Sequence, residues 1–269
     1  MLLTHWLVSL AARHWPFANG SGRLLDRYAG AINLGGGRRR AQSSDGFALD
    51  VLADDLIGRH ILLSGKFDRS IVQVLLDQAR PGDVLLDVGA NIGYVSACFL
   101  QLVENSSAVC VEPQPQIVDL LSNNLSQFGS RATIYPVALT EETREIRFSI
   151  NNVNRGSSHI DEDGDHVVQG VSAGEFLKQL DKVDLVKIDV EGHEFSVLAA
   201  MEKPLERLSP RAIMFEDHTG SAHIGGPIGA ILDRLGYDVF GIRKRLFKTE
   251  LQLVRTAEDC VASDYIALR

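Results

Sequence analysis

Val84-Leu85-Leu86-Asp87-Val88-Gly89-Ala90-Asn91-Ile92-Gly93-Tyr94-Val95-Ser96 is the stretch around which the 269-residue chain is organised. An apolar run, Val84 to Leu86, leads straight into Asp87; glycines at 89 and 93 then flank Asn91 before apolar residues resume at helical spacing. The pattern predicts a buried strand, a tight turn and a helix start. Glycine suits a backbone that takes positive φ or comes close to a ligand, and the helix N-terminus beyond it offers free N–H groups to an electron-rich partner. The turn is therefore expected to hold a nucleotide-like ligand. A dinucleotide fingerprint needs G-x-G-x-x-G, whereas three residues separate Gly89 from Gly93, so a pyrophosphate is not the ligand.

A chain of this length can bury one substantial core, and its composition is that of an ordinary soluble protein. The net charge of -8 argues against a nucleic-acid partner, which requires a basic face. Charge is uneven, however. Residues 1–45 carry six arginines (13, 23, 27, 38, 39 and 40) against Asp26 and Asp45, a balance of +4 that leaves -12 for the remainder. Cys98, Cys110 and Cys260 lack metal or redox spacing and read as free thiols in a reducing compartment. With no apolar run of membrane-spanning length and no convincing secretory signal, the expected location is the cytoplasm.

From the N-terminus, Leu2, Leu3, Trp6, Leu7, Leu10 and Ala11 fall on one side of a helix over 2–15. Packing on the domain or a second subunit explains that face; the nearby arginines and tryptophans raise peripheral membrane attachment as the alternative. Gly35 to Ser44 reads as a linker, which sets an N-terminal helical extension at 1–44 and a main domain at 45–269. A short strand from Phe47 to Val51 is followed by a helix capped by Asp68, with Ile71, Val72, Leu75 and Leu76 on its inner face. Strands are then expected at Ala108–Val111, Thr133–Val137, Glu145–Ile150, Leu185–Asp189, Ala212–Phe215, Tyr237–Ile242 and Tyr265–Leu268, with helices between most of them and a polar loop over 151–165. Such alternation calls for a mostly parallel α/β sheet covered on both faces. Glu112 ends the Ala108–Val111 strand, the next after the Val84 strand and about 20 residues past the glycine turn, where nucleoside-binding folds hold ribose hydroxyls.

Asp87, Gly89, Asn91 and Gly93 resemble the first motif of class I S-adenosylmethionine-dependent methyltransferases, whose cofactor carries a cationic sulfonium and no phosphate. Taken with Glu112-Pro113, Val137-Ala138-Leu139 and the run from Lys187 to Glu194, the chain from about residue 45 resembles the FkbM family. The resemblance implies a Rossmann-like sheet of seven strands with the last one antiparallel, S-adenosylmethionine as cofactor, and O-methylation of a hydroxyl on a sugar, glycan or natural product. It further implies that Asp87, Gly89, Ala90, Asn91 and Gly93 line the methionine end, that Glu112 and Pro113 hold the ribose, and that Ala138 lies near the adenine. Asp68 departs from the family, many of whose members carry the longer Glu there, so no cofactor contact is carried over to it.

Asp189 and Glu216 end adjacent strands and should both face the crevice at the carboxyl edge, with Glu191, His193 and His218 close behind. A hydroxyl attacking a methyl sulfonium must lose its proton. His193 is the expected base, with Asp189 orienting it or the substrate and Glu216 and His218 as further catalytic candidates. Glu191 and Glu194 suit helix N-terminal charge stabilisation as well as they suit catalysis. His159, with Ser157 and Ser158, is either an acceptor contact or part of a solvated loop. Asp189, Glu216 and His218 have the donor chemistry for a divalent cation, but without a compact ligand motif no metal is expected. N- or C-methylation and a non-catalytic cofactor-binding module are the competing functions.

Overall fold

The computed structural model describes residues 2–28, 32, 34–149, 159–160, 164 and 166–269. In chain order these form α1 (Leu2–Arg13), α2 (Ser21–Tyr28), β1 (Arg38–Gln42), β2 (Ala48–Leu52), α3 (Leu56–Ser64), α4 (Arg69–Leu76), β3 (Val84–Val88), α5 (Tyr94–Leu102) and β4 (Ser107–Val111). There follow α6 (Pro115–Leu125), β5 (Ala132–Tyr135), β6 (Ala138–Thr140), β7 (Arg144–Ser149), β8 (His159–Ile160), β9 (His166–Ser172), α7 (Ala173–Lys178) and β10 (Leu185–Ile188). The chain closes with α8 (Glu194–Leu208), β11 (Ala212–Glu216), α9 (Pro227–Arg234), β12 (Asp238–Lys244), β13 (Thr249–Leu253) and β14 (Asp264–Leu268).

The main sheet runs β13-β12-β14-β11-β10-β3-β4-β5. Its five strands from β11 to β5 are parallel, and β14 inserts antiparallel between β11 and β12. Successive side chains on a strand point to opposite faces, so Leu85 packs in the layer containing α4, α5 and α6 while Leu86 packs in that of α7, α8 and α9. Burial on both faces is why the parallel strands read as continuous apolar runs. The expected seven strands and their antiparallel last member are present. An eighth strand, β13, was not anticipated: it lies at the sheet edge with Leu251 and Leu253 exposed, so its alternation carries no inward signal.

The basic run expected as a linker instead supplies β1, which pairs antiparallel with β2 across the proposed 44/45 boundary. Arg38 and Arg40, two residues apart on one face, both pair with Asp50, and Ala41 on the other face is buried. The N-terminal helix also turns the other way from its expected face. Val8 and Ala12 pack with Leu25, Ile32 and Leu63, while Trp6 is 60% exposed and Leu7 and Leu10 also face outward. Hydrogen bonds from Ser9 Oγ and Arg13 Nε to the Leu63 carbonyl secure this orientation, because they tie the polar side of α1 to the end of α3. No described helix is long and apolar enough to cross a membrane.

Asp68 stands at the N-cap of α4 but does not cap it. Its backbone is left-handed, φ 33°, and its carboxylate accepts from Lys244 Nζ at 2.7 Å instead. Within the expected polar loop β8 pairs antiparallel with β7, and just after the loop β9 pairs antiparallel with β7 and parallel with β6, forming a small second sheet. Ser157 and Ser158 lie outside the described residues, and His159 is placed only as part of β8. Cys98 and Cys110 are buried free thiols; Cys260 is half-buried.

Candidate active site

The carboxyl ends of β3, β4, β10 and β11 converge on a cavity of about 260 Å³, as expected where parallel strands release their loops. The turn after β3 forms one wall. Gly89, Asn91 and Gly93 all have positive φ, at 76°, 49° and 83°. Asn91 tolerates this conformation because its Oδ1 accepts from Ile92 N at 2.7 Å. The glycines serve close packing within the protein. A Cβ on Gly89 would lie 1.8 Å from the Asp189 carbonyl oxygen, and one on Gly93 would lie 2.7 Å from Leu121 Cδ1. Gly89 N and Ala90 N both donate to Val111 O, so the turn is clamped between the exits of β10 and β4.

Glu112 is buried at the end of β4. Its two oxygens accept from Asn91 N and Gln114 N, each at 3.0 Å, so it braces the turn from below. Burial pushes its carboxyl up to about 7, with the two backbone hydrogen bonds acting in the opposite direction. Each oxygen retains a second lone pair, and the residue lines the cavity together with Gly89, Ala90, Asn91, Pro113 and Ala138. Asp87 and Gly93 are not in the lining. Asp87 is fully buried behind the turn, where it accepts from Ser96 Oγ at 2.6 Å.

Lys187 opens the run to Glu194 quoted from the sequence, but no role is assigned to it there. Its ammonium lies 3.3 Å from Asp87 Oδ1 and 3.2 Å from Asp189 Oδ2, and it donates to Gly89 O at 3.0 Å. Burial opposes its charge, but Asp189 and Asp87 outweigh burial and hold the group above the ordinary lysine range. The only signal in the sequence was a cation inside an apolar strand with Asp189 two residues on, a pattern that makes sense once Asp87 is known to lie alongside on β3.

Beside the turn, Asp189, Glu191 and Glu216 line the cavity and bring carboxylate oxygens within 4.8 Å of one another. Burial, then the neighbouring Asp189 and Glu216, raise Glu191 to about 7; burial, then Asp189, raise Glu216 to the same level. His193 lines this side as well. His218 does not: it is two-thirds exposed, with Nε2 2.9 Å from Glu216 Oε1 on the solvent side. The grouping suited to a divalent cation thus contains Glu191 in place of His218, whose ring is exposed although Asp217 before it is buried. Glu194 takes the structural role, accepting from Val190 N and Gly192 N to fold the loop in which Glu191 has φ 51°.

Together these residues fit a nucleoside bearing a cationic arm. Glu112 has acceptor capacity for hydroxyls, Ala138, Leu139 and Phe148 provide an apolar wall, and the carboxylate group offers negative charge to a cation.

Residues 87–244 match the family model described as the methyltransferase FkbM domain. The chain is similar to hexuronic acid methyltransferase AglP of Haloferax volcanii, with 30% identity over 158 residues, 57% of this chain and 63% of AglP. It therefore spans just under two thirds of that relative. It is also similar to 2-O-methyltransferase NoeI of Sinorhizobium fredii, with 26% identity over 193 residues, 63% of this chain and 76% of NoeI. Among solved structures, a TehB-like S-adenosylmethionine-dependent methyltransferase from Corynebacterium glutamicum superposes with a TM-score of 0.45 at 10% identity, covering 78% of this chain and 91% of the other. With more than half of its length matched by the family model, the chain belongs to the FkbM family of S-adenosylmethionine-dependent methyltransferases.

Proposed function

We propose that the enzyme methylates a hydroxyl group of a sugar or glycan. The observation that carries this reading is the placement of His193 and the Asp189, Glu191 and Glu216 carboxylates on the wall of the same cavity that the nucleoside-binding turn lines. The names of AglP and NoeI, one acting on a hexuronic acid and the other a 2-O-methyltransferase, support the same direction. S-adenosylmethionine, when bound, supplies an electrophilic methyl group. Gly89, Ala90 and Asn91 are assigned to its methionine end, Glu112 and Pro113 to the ribose and Ala138 to the adenine. Asp87 acts indirectly, by fixing Lys187 against the turn.

His193 is assigned as the base that takes the hydroxyl proton, and Asp189 as the group that orients the acceptor beside it. Positional control contributes about 7 to 11 kcal/mol in such reactions, against about 3 to 5 kcal/mol from a base. Replacing His193 with Ala should therefore lower the rate of labelled methyl transfer about 100-fold without abolishing it, and leave donor affinity by calorimetry unchanged. A fully active variant would remove His193 from the role of base.

Glu191 and Glu216 add a second expectation. Ionisation of either supplies a carboxylate at the acceptor and negative charge for the cationic donor, so kcat/KM should rise with pH through about 7. Stability of the ligand-free protein should move the other way. Folded-state values raised from 4.5 to about 7 at Glu112, Glu191 and Glu216 mean that the native state binds protons more tightly than the unfolded chain across that window. Their stabilising contribution is complete below pH 4.5 and is lost as pH rises through about 7. Parallel rate and denaturant titrations between these limits check both slopes, and two curves rising together would contradict the assignment.

A further inference from the structure

A second cavity, of about 310 Å³, adjoins the donor cavity and shares Leu56, Phe67 and Asp68 with it. The partition is an ion triad in which Lys244 Nζ lies 2.7 Å from Asp68 Oδ2 and 3.0 Å from Asp264 Oδ2. Asp264 faces the donor side, and Lys244 the second chamber. The outer wall is residues 18–26 of the N-terminal extension. That wall is pinned to the turn between β12 and β13, since Asn19 N donates to Leu246 O at 3.1 Å and Asn19 Nδ2 to Arg245 O at 2.7 Å. Trp15 Nε1 in turn donates to Asn19 O, and Phe17 meets Phe247 edge-on.

The lining of this chamber runs against the charge of the whole chain. Although the protein carries a net charge of -8, four cations, Arg23, Lys66, Arg69 and Lys244, face two carboxylates, Asp26 and Asp68. Arg69 is paired with Asp45 and Lys244 with Asp68 and Asp264; Asp26 is taken by His60. Arg23 and Lys66 have no carboxylate partner among the described residues. Hydroxyls of Ser21 and Ser70 and the ring of Phe67 complete a surface suited to a polyhydroxylated ring with one apolar face. Every lining residue except Lys244 lies outside the stretch matched by the family model.

We infer that this chamber holds the carboxylate-bearing ring of the acceptor, with the hydroxyl to be methylated reaching past Asp68 to His193 and Asp189 in the adjoining cavity, and that Lys66 and Arg23 select for that charge. The inference rests on the reading of the enzyme as a sugar hydroxyl methyltransferase. It gives the N-terminal extension a definite task, because residues 18–26 close the chamber that the methyltransferase core leaves open on that side.

The test is binding of methyl β-glucuronide and methyl β-glucoside, followed by calorimetry or ligand-observed NMR on the full chain, with donor affinity measured in parallel. The glucuronide should bind at least about tenfold more tightly, equivalent to about 1.4 kcal/mol. Lys66→Met combined with Arg23→Met should erase that preference, Lys66→Arg should keep it, and neither should change donor affinity. Equal binding of the two sugars, no glucuronide binding, or a preference that survives the double substitution would overturn the inference. Labelled transfer to a mixture of neutral and acidic oligosaccharides separates the two levels of the argument. Label in the acidic fraction supports both; label confined to neutral sugars preserves the sugar-hydroxyl reading and overturns this one; label on no sugar overturns both.

Discussion

Replacing Gly89 with alanine should cost at least about 3 kcal/mol of stability and lower donor affinity about 100-fold or more. Two effects combine at this position. The backbone has φ 76°, and the new Cβ would sit 1.8 Å from the Asp189 carbonyl oxygen and 2.9 Å from its carbonyl carbon, distances no side chain tolerates. Relief requires the β3 turn and the exit of β10 to separate, which moves Asp189 and opens the clamp that Gly89 N and Ala90 N make on Val111 O. Gly82→Ala isolates the first effect from the second. Gly82 has φ 80° but nothing within 4 Å of the added carbon, so only the left-handed backbone penalty applies, about 1 kcal/mol. Denaturant unfolding and donor calorimetry of the two variants should diverge, with Gly82→Ala retaining wild-type donor affinity. Matching behaviour would mean that the contact with Asp189 is easily relieved and that the turn is not held by it.

Much of this architecture was legible because its signals are local. Val84 to Val88 reads as a strand on apolar continuity, and the positions of Glu112, Asp189 and Glu216 follow from counting to the ends of parallel strands. The side-chain directions were not legible in the same way. Asp87 carries the residue type expected of a ligand contact, yet it faces Ser96 and Lys187 behind the turn, because a strand residue alternates sides with its neighbours. His218 was grouped with Glu216 by proximity in sequence, but it is Asp217 that is buried, while the His218 ring meets Glu216 from the solvent side. Arg38 to Gln42 looked like a solvated linker until Asp50, on the facing strand, supplied the partner for alternate arginines. The α1 helix shows the same limit: a period of 3.6 identifies an apolar stripe, but only the Ser9 and Arg13 bonds to Leu63 decide which side meets the protein. Lys187 is the strongest case, since its partners lie on β3 and beyond β10, and no spacing within one strand reports an ammonium shared between two.

That shared ammonium carries the other large expectation. Lys187→Met keeps the length of the side chain and removes its charge, leaving Asp87 fully buried with Ser96 Oγ as its remaining hydrogen-bond donor. Removing one partner of a buried ion pair costs about 3 to 5 kcal/mol, chiefly because the other charge stays desolvated and uncompensated. The same substitution deprives Gly89 O of its donor and releases Asp189, so donor affinity should fall together with stability. Asp87→Asn in the Lys187→Met background separates the two consequences. It removes the stranded charge, and the double variant should regain part of the lost stability, giving a coupling energy of about 1 to 3 kcal/mol in a double-mutant cycle by urea unfolding. Donor affinity should not recover with it, because the tether to Gly89 O and the hold on Asp189 remain absent. Additive losses in stability would show that Lys187 and Asp87 act independently, and recovery of donor binding would transfer the role of Lys187 from positioning the turn to neutralising Asp87 alone.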